Sequence, residues 1–228
     1  MTTPDPLSDS QPPSGPSPEA LAALPLFPLG TVLYPGGLLP LRIFEVRYLD
    51  MVRRCQREGR PFGVVALTQG HEVRQAGAPR EAFCEIGTLA TLAEVQAPQP
   101  GLLMIKAHGG PRFRIRRSEQ LPHGLWVGDV ELLAEDPPVA VPEDLKPPAQ
   151  SLGRVLETLT AQAADAGAEV PVRQPWQLDD CAWVANRWCE LLPLPLAMKQ
   201  RLMTLDNPLV RLELVGDLLA QGGRGAAA

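Results

Sequence analysis

From Ala20 to Leu41 the chain carries no charged side chain. As a helix, about 20 such residues would be long enough to cross a bilayer. The punctuation excludes that. Pro25, Pro28, Pro35 and Pro40, together with Gly30, Gly36 and Gly37, would remove helical hydrogen bonds along the run, and lipid offers the freed groups no partner. Buried strands are the alternative. Residues 31–34 (TVLY) are β-branched and aromatic, and Pro35-Gly36 suits the two central positions of a type II turn. Residues 38–41 (LLPL) then resume the apolar run. Pro40 has no backbone donor, so the second strand is expected at an edge or a bulge.

Beyond Arg42 the period changes. Glu45, Tyr48, Leu49, Val52 and Cys55 recur at helical spacing, and Arg47, Arg53, Arg54 and Arg57 fill the other positions. One buried and one solvated face are expected. Cations crowd the last turns, where they complement the helix dipole, and Gly59 supplies the stop of a helix of roughly four turns. Residues 24–50 therefore read as strand, turn, strand, helix.

This stretch resembles the opening of the Lon N-terminal domain family. The residues that carry the resemblance are the Pro35-Gly36 turn and Ile43, Phe44, Glu45, Arg47 and Tyr48. Looser matches follow at residues 62–67, 84–90 and 112–115, and the likeness reaches from residue 24 to about 221. It implies an α+β fold, with an N-terminal PUA-like β pseudobarrel containing one early helix and a C-terminal helical bundle. It also implies a stand-alone relative of the domain that presents polypeptides to an ATP-dependent protease.

The remaining chain is consistent with that outline. A length of 228 residues holds one or two domains. Residues 1–23 read as a disordered tail rich in Pro and Ser, and with no basic start to a signal segment the expected location is cytoplasmic. Residues 24–136 form the β-rich domain. Its strands are expected at 62–67, in two short runs within 83–95, and at 102–106, 112–117 and 126–133. The connections fall at 77–79, 98–101 and 109–111, each containing Gly and Pro. Residues 137–150 read as a Pro-rich linker and 151–221 as the bundle, with residues 222–228 a second tail. In the bundle, Leu152, Val155, Leu156, Leu159 and Ala163 form one helical stripe ending at Gly167. A second helix runs over 179–192, capped by Asp179 or Asp180 and stopped by Pro193, and a short one covers 196–205. The last has Asn207 as cap, Pro208 at its first position and Gly222 at its end. Cys55, Cys84, Cys181 and Cys189 form no CxxC pair and read as buried free thiols.

Catalytic signatures are missing. There is no G-x-x-x-x-G-K-[ST] phosphate cradle, and no serine lies in a nucleophile motif, Ser118 reading as an ordinary turn residue. His71, His108 and His123 fall in expected loops without metal-ligand spacing, so neither metal nor cofactor is implied. Glu45 and Arg47, two apart, do not face each other on a helix, and each is assigned a separate structural partner. Arg112, Arg114 and Arg116 alternate with Phe113 and Ile115 and read as a solvated sheet face, with phosphate contact as the alternative. Trp176, Trp183 and Trp188 read as inter-domain packing, with a peptide groove as the alternative. A net charge of −5 argues against broad binding of nucleic acid or anionic membrane. The expected function is non-catalytic binding of a polypeptide or protein partner. RNA binding through Arg112, Arg114 and Arg116 is the second reading, and a small-molecule enzyme in an inter-domain cleft the third.

Overall fold

The computed structural model describes residues 19–72, 80–168, 170, 172 and 174–225. Seven strands come first, with one helix among them: β1 (Ala20–Leu29), β2 (Leu38–Ile43), α1 (Val46–Glu58), β3 (Phe62–Gln69), β4 (Ala82–Phe83), β5 (Ile86–Gln99), β6 (Leu102–Gln120) and β7 (Trp126–Leu132). A 3-10 turn at Glu143–Leu145 leads into α2 (Lys146–Asp165), α3 (Cys181–Leu191), α4 (Leu196–Met203) and α5 (Pro208–Gly225).

The sheet runs β1-β7-β6-β5-β3 and returns to its start, because the second half of β1 pairs in parallel with β3. Strand β1 thus serves two neighbours: Ala20 to Leu26 pair antiparallel with β7, and Leu26 to Leu29 with β3. Side-chain alternation along β1 divides two cores. Phe27 and Leu29 join Tyr48, Val52 and Cys55 of α1, whereas Leu24 and Leu26 meet Phe113, Trp126 and Val130. Phe27 stacks on Tyr48 with ring centroids 3.9 Å apart. Strand β3 is buried from Phe62 to Ala66, which is why it reads as an unbroken apolar run.

The first strand lies earlier than expected. Residues 31–34 form an irregular crossing, and the strand begins at Ala20, inside the stretch read as tail. Val32, Leu33 and Tyr34 are buried all the same, so apolarity there marks burial and not pairing. The turn is as expected. Gly36 has φ 72° and the Gly37 amide donates to the Tyr34 carbonyl at 2.9 Å, the arrangement in which Gly at the third position of a type II turn costs nothing. Strand β2 pairs only with β6, which places Pro40 on an edge.

Residues 109–111, expected as a connection, lie inside the single long strand β6, as do His108 and Ser118. A strand of this length bends to follow the closed sheet, and its register against β5 and β7 shifts at several points. Gly109 is required at the bend: a Cβ there would stand 2.1 Å from the Tyr34 carbonyl oxygen. The two runs expected within 83–95 are likewise a short β4 and one long β5. The expected connection at 77–79 and the first 18 residues of the expected tail lie outside the described residues.

In the helical part, α2 begins at Lys146, within the stretch read as linker, because Pro147 and Pro148 sit in its first turn, where no amide donor is needed. The preceding extended segment is pinned to the chain entering α3 by Val141 N to Asp179 O and Cys181 N to Val139 O, at 2.9 and 2.8 Å. Asp180 is the cap of α3, accepting from the Trp183 amide at 2.7 Å, and Asn207 accepts from Leu209 N at 3.0 Å. Helix α5 passes Gly222 and ends at Gly225. Val32, Tyr34 and Ala66 of the sheet region share one core with Leu152, Leu156, Val184, Leu212 and Val215 of the helices. Among the described residues no helix is long and apolar enough to cross a membrane.

Candidate functional site

The Pro35-Gly36 turn projects from the sheet onto α3, where Arg187 receives it. This guanidinium is 2% exposed; Nη1 donates to the Gly36 carbonyl at 2.6 Å and Nη2 to the Pro35 carbonyl at 3.0 Å. Its charge is met by Glu190. Burial pushes the Glu190 carboxyl up to about 7, against the opposing pull of Arg187 and Lys199. Tyr34, just before the turn, donates its hydroxyl to the Lys199 carbonyl at 2.6 Å, and burial raises its pKa.

A second junction is built on Asp136. Arg112 of β6 and Arg211 of α5 both reach it, at 3.1 and 2.6 Å. Both also cap the C-terminal end of α4. Arg112 donates to the Met203 and Leu205 carbonyls at 3.0 and 3.2 Å, and Arg211 Nε to Leu202 O at 3.1 Å. These carbonyls are the negative end of the helix, a favourable partner for buried guanidinium groups.

Between the two junctions lies a cavity of about 480 Å³ lined by Pro35, Gly36, Gly109–Pro111, Arg112, Glu135, Asp136, Gln177, Asp180, Ala182, Trp183 and Asn186. Trp183 also borders a smaller cavity of about 90 Å³ that Arg187 lines, and the Arg187 guanidinium carbon is 5.9 Å from its ring centre. Another cavity, of about 470 Å³, runs between α1 and the β6–β7 hairpin. Its charged lining is largely paired: Arg54 with Glu58, and Arg47 with Glu45 and Glu81.

The expected arginine ladder is not a solvated face. Arg112 is 4% exposed and its donors are consumed by α4 and Asp136. Arg114 is half-buried, and Arg116 is exposed at a register shift and paired with Glu131. The tryptophans also separate. Trp188 is buried and donates to Pro148 O at 3.0 Å, and half-buried Trp176 donates to Val172 O at 3.2 Å. Trp183 lines both cavities beside Arg187 and Arg112.

In the segment that carries the resemblance, Ile43 and Tyr48 are core residues, whereas Phe44 is 54% exposed. Arg47 is buried, not solvated, and it meets Glu45 after all, with Nε 3.2 Å from Oε2. Glu45 has extended backbone as the helix cap, so helical facing rules do not apply to the pair. Arg47 also donates to Gly124 O at 2.9 Å and Glu81 Oε1 at 3.2 Å. Burial opposes ionisation of Glu81, but hydrogen bonds from its own backbone, Arg47 and Trp126 outweigh it and lower its pKa. Arg53, Arg54 and Arg57 are exposed as expected.

Asp136 and Glu131, which the sequence offers with Glu135 as salt-bridge partners of the ladder, pair with Arg112 and Arg116, whereas Arg187, Arg211 and Glu190 are missed by sequence reasoning, although a signal exists. Arg211 lies four before Val215 and Arg187 four before Leu191, on the apolar stripes of their helices. A charge on a buried stripe requires a buried partner.

The family described as ATP-dependent protease La (LON) substrate-binding domain matches residues 23–221. The crystal structure of a Lon N-terminal domain protein from Xanthomonas campestris is 33% identical, with a TM-score of 0.64, covering 88% of this chain and 98% of that one. The N-terminal domain of the Mycobacterium avium complex Lon protease is 17% identical with a TM-score of 0.53, over 87% and 97% of the two chains, a likeness of fold. Protein cereblon of Danio rerio is 30% identical over 121 residues, which is 51% of this chain and 27% of cereblon.

Proposed function

The chain belongs to the Lon substrate-binding domain family, and from that membership we propose that it binds polypeptides, as an adaptor or recognition protein, without bond-making chemistry of its own. The observation that carries this reading is the extent of the family match, which takes in both the strand region and the helices, and hence both walls of the cavity beside Trp183. Recognition would rest on apolar and main-chain contacts. A PUA-like pseudobarrel for the closed sheet belongs to the same reading, as does a cytoplasmic setting that keeps the four thiols free. The RNA reading has less support, because Arg112 is buried and Arg116 is paired.

The test is titration of a fluorescent, permanently unfolded polypeptide with the protein, read by anisotropy. The folded form of the same polypeptide and a single-stranded RNA are run beside it at low and high salt. Selective binding of the unfolded form supports the reading. Binding of RNA alone, weakening steeply with salt, would replace it.

A further inference from the structure

The cavity between β6 and α3 has an amide donor in its wall. Asn186 is 3% exposed and lines the cavity. Its Oδ1 accepts from Arg211 Nη1 at 3.0 Å. Arginine is only a donor, so this contact fixes which end of the amide is oxygen. The Nδ2 group therefore points away from Arg211, and it is not one of the fully buried unpaired atoms, so it opens on the cavity that Asn186 lines. An amide nitrogen that opens on a cavity can donate to whatever occupies it, and it marks where an acceptor would go.

The floor opposite is bare. Gly109 is excluded from carrying a side chain by the Tyr34 carbonyl, but Gly110 is not: a Cβ there would meet only Leu89, at 3.6 Å, an ordinary contact. Its φ is not in the left-handed region. Nothing in the fold requires glycine at 110, and its effect is to let another chain approach the backbone closely. Trp183 supplies an aromatic wall, and the rim is acidic. Glu135 is exposed with no ion pair among the described residues, and Asp180 uses one carboxylate oxygen in its cap. The one cation lining the cavity, Arg112, is neutralised by Asp136 and Asp206.

We propose that this cavity takes an extended polypeptide segment bearing a lysine or arginine: Asn186 Nδ2 donates to a main-chain carbonyl, the backbone crosses Gly110, and the cationic side chain lies over Trp183 toward Glu135 and Asp180. The charges decide the preference, since a cation over an indole face is attracted to it and the rim carboxylates suit no anion. This assignment rests on the polypeptide-binding reading and gives it a site and a residue class.

The experiment uses the full chain and unstructured peptides identical except for a central Lys, Leu or Glu, with affinity read by anisotropy. The wild type is expected to bind the Lys peptide about tenfold more tightly than the Glu peptide. Gly110→Leu, which fills the floor, is expected to lose about tenfold or more on the Lys peptide. Glu135→Lys, a change on the exposed rim that leaves the core alone, is expected to erase the Lys-over-Glu preference, and it stands as the test should Gly110→Leu fold poorly. Unchanged Lys-peptide affinity in Gly110→Leu, or an undiminished preference in Glu135→Lys, overturns this site and leaves polypeptide binding intact elsewhere. Failure of the wild type to bind any peptide, or the unfolded polypeptide above, overturns both readings together.

Discussion

Arg187 and Glu190, one turn apart on α3, are joined at two points: Nη2 donates to Oε1 at 2.8 Å, and Nε stands 2.8 Å from Oε2. Through that pair the sheet's Pro35-Gly36 turn is held against the helices. Glu190 has its carboxyl raised by burial from the ordinary 4.5 to about 7. A carboxyl with a folded value above its unfolded one binds more protons when folded, so its contribution to stability is greatest at low pH and falls as pH rises between those values. The unfolding free energy of wild type minus that of Glu190→Gln is therefore expected to decline from about pH 4.5 to about pH 7 and then level off. Urea titrations at stepped pH measure it, and a difference that grows with pH contradicts the assignment.

Arg112 and Arg116 lie on the same strand but differ in what they support. Arg112→Ala leaves Asp136 short of one partner and uncaps α4, and is expected to cost about 3–5 kcal/mol. Arg116→Ala removes an exposed pair with Glu131 and is expected to cost less than about 1 kcal/mol. Denaturant unfolding of the two variants separates a buried clamp from a surface ladder.

Adjacent glycines make a sharper contrast. Gly109→Ala places a methyl 2.1 Å from Tyr34 O, so the crossing must shift, and the expected loss is at or beyond the top of the ~1–3 kcal/mol range for overpacking. Gly110→Ala is expected to change stability by less than about 1 kcal/mol. Thermal melts of the pair decide it.

Cys55, Cys181 and Cys189 are buried and Cys84 is half-buried. Burial raises all four thiols, Cys189 to about 11, so little thiolate is present at neutral pH. A water-soluble thiol reagent is expected to modify Cys84 first in the native protein, and the other three only when urea opens the fold.

Much of the architecture was legible because it depends on local chemistry. The Pro35-Gly36 turn, the α1 stripe ending at Gly59, the Asp180 and Asn207 caps and the edge position of Pro40 each follow from one residue's geometry. What was not legible depended on distant chain. Residues 31–34 look like a strand because they are apolar and buried, but Val32 and Tyr34 are covered by the C-terminal helices and Leu33 by the core beside α1. Residues 109–111 look like a loop because glycine and proline are rare in strands, yet the Tyr34 carbonyl demands the first glycine. Arg112 looks solvated by alternation until the end of α4 folds over it. At the cavity, the sequence put Trp183 forward with two other tryptophans and could not separate them, and Asn186 was silent, since only the contact with Arg211 orients its amide.

Strand β1 spends its first half on β7, and the Ala23 amide reaches Asp129 across 106 residues of sequence. At about 5–20 residues per second of synthesis, the strand leaves the ribosome on the order of ten seconds before its partner exists. For that interval the first half of the strand, uncharged throughout, lacks its native edge, although the second half already has β3, and the prolines at 25 and 28 offer a wrong edge no backbone donor. Replacing them with valine would be felt during birth of the chain, as aggregation, before it was felt in the stability of the finished fold.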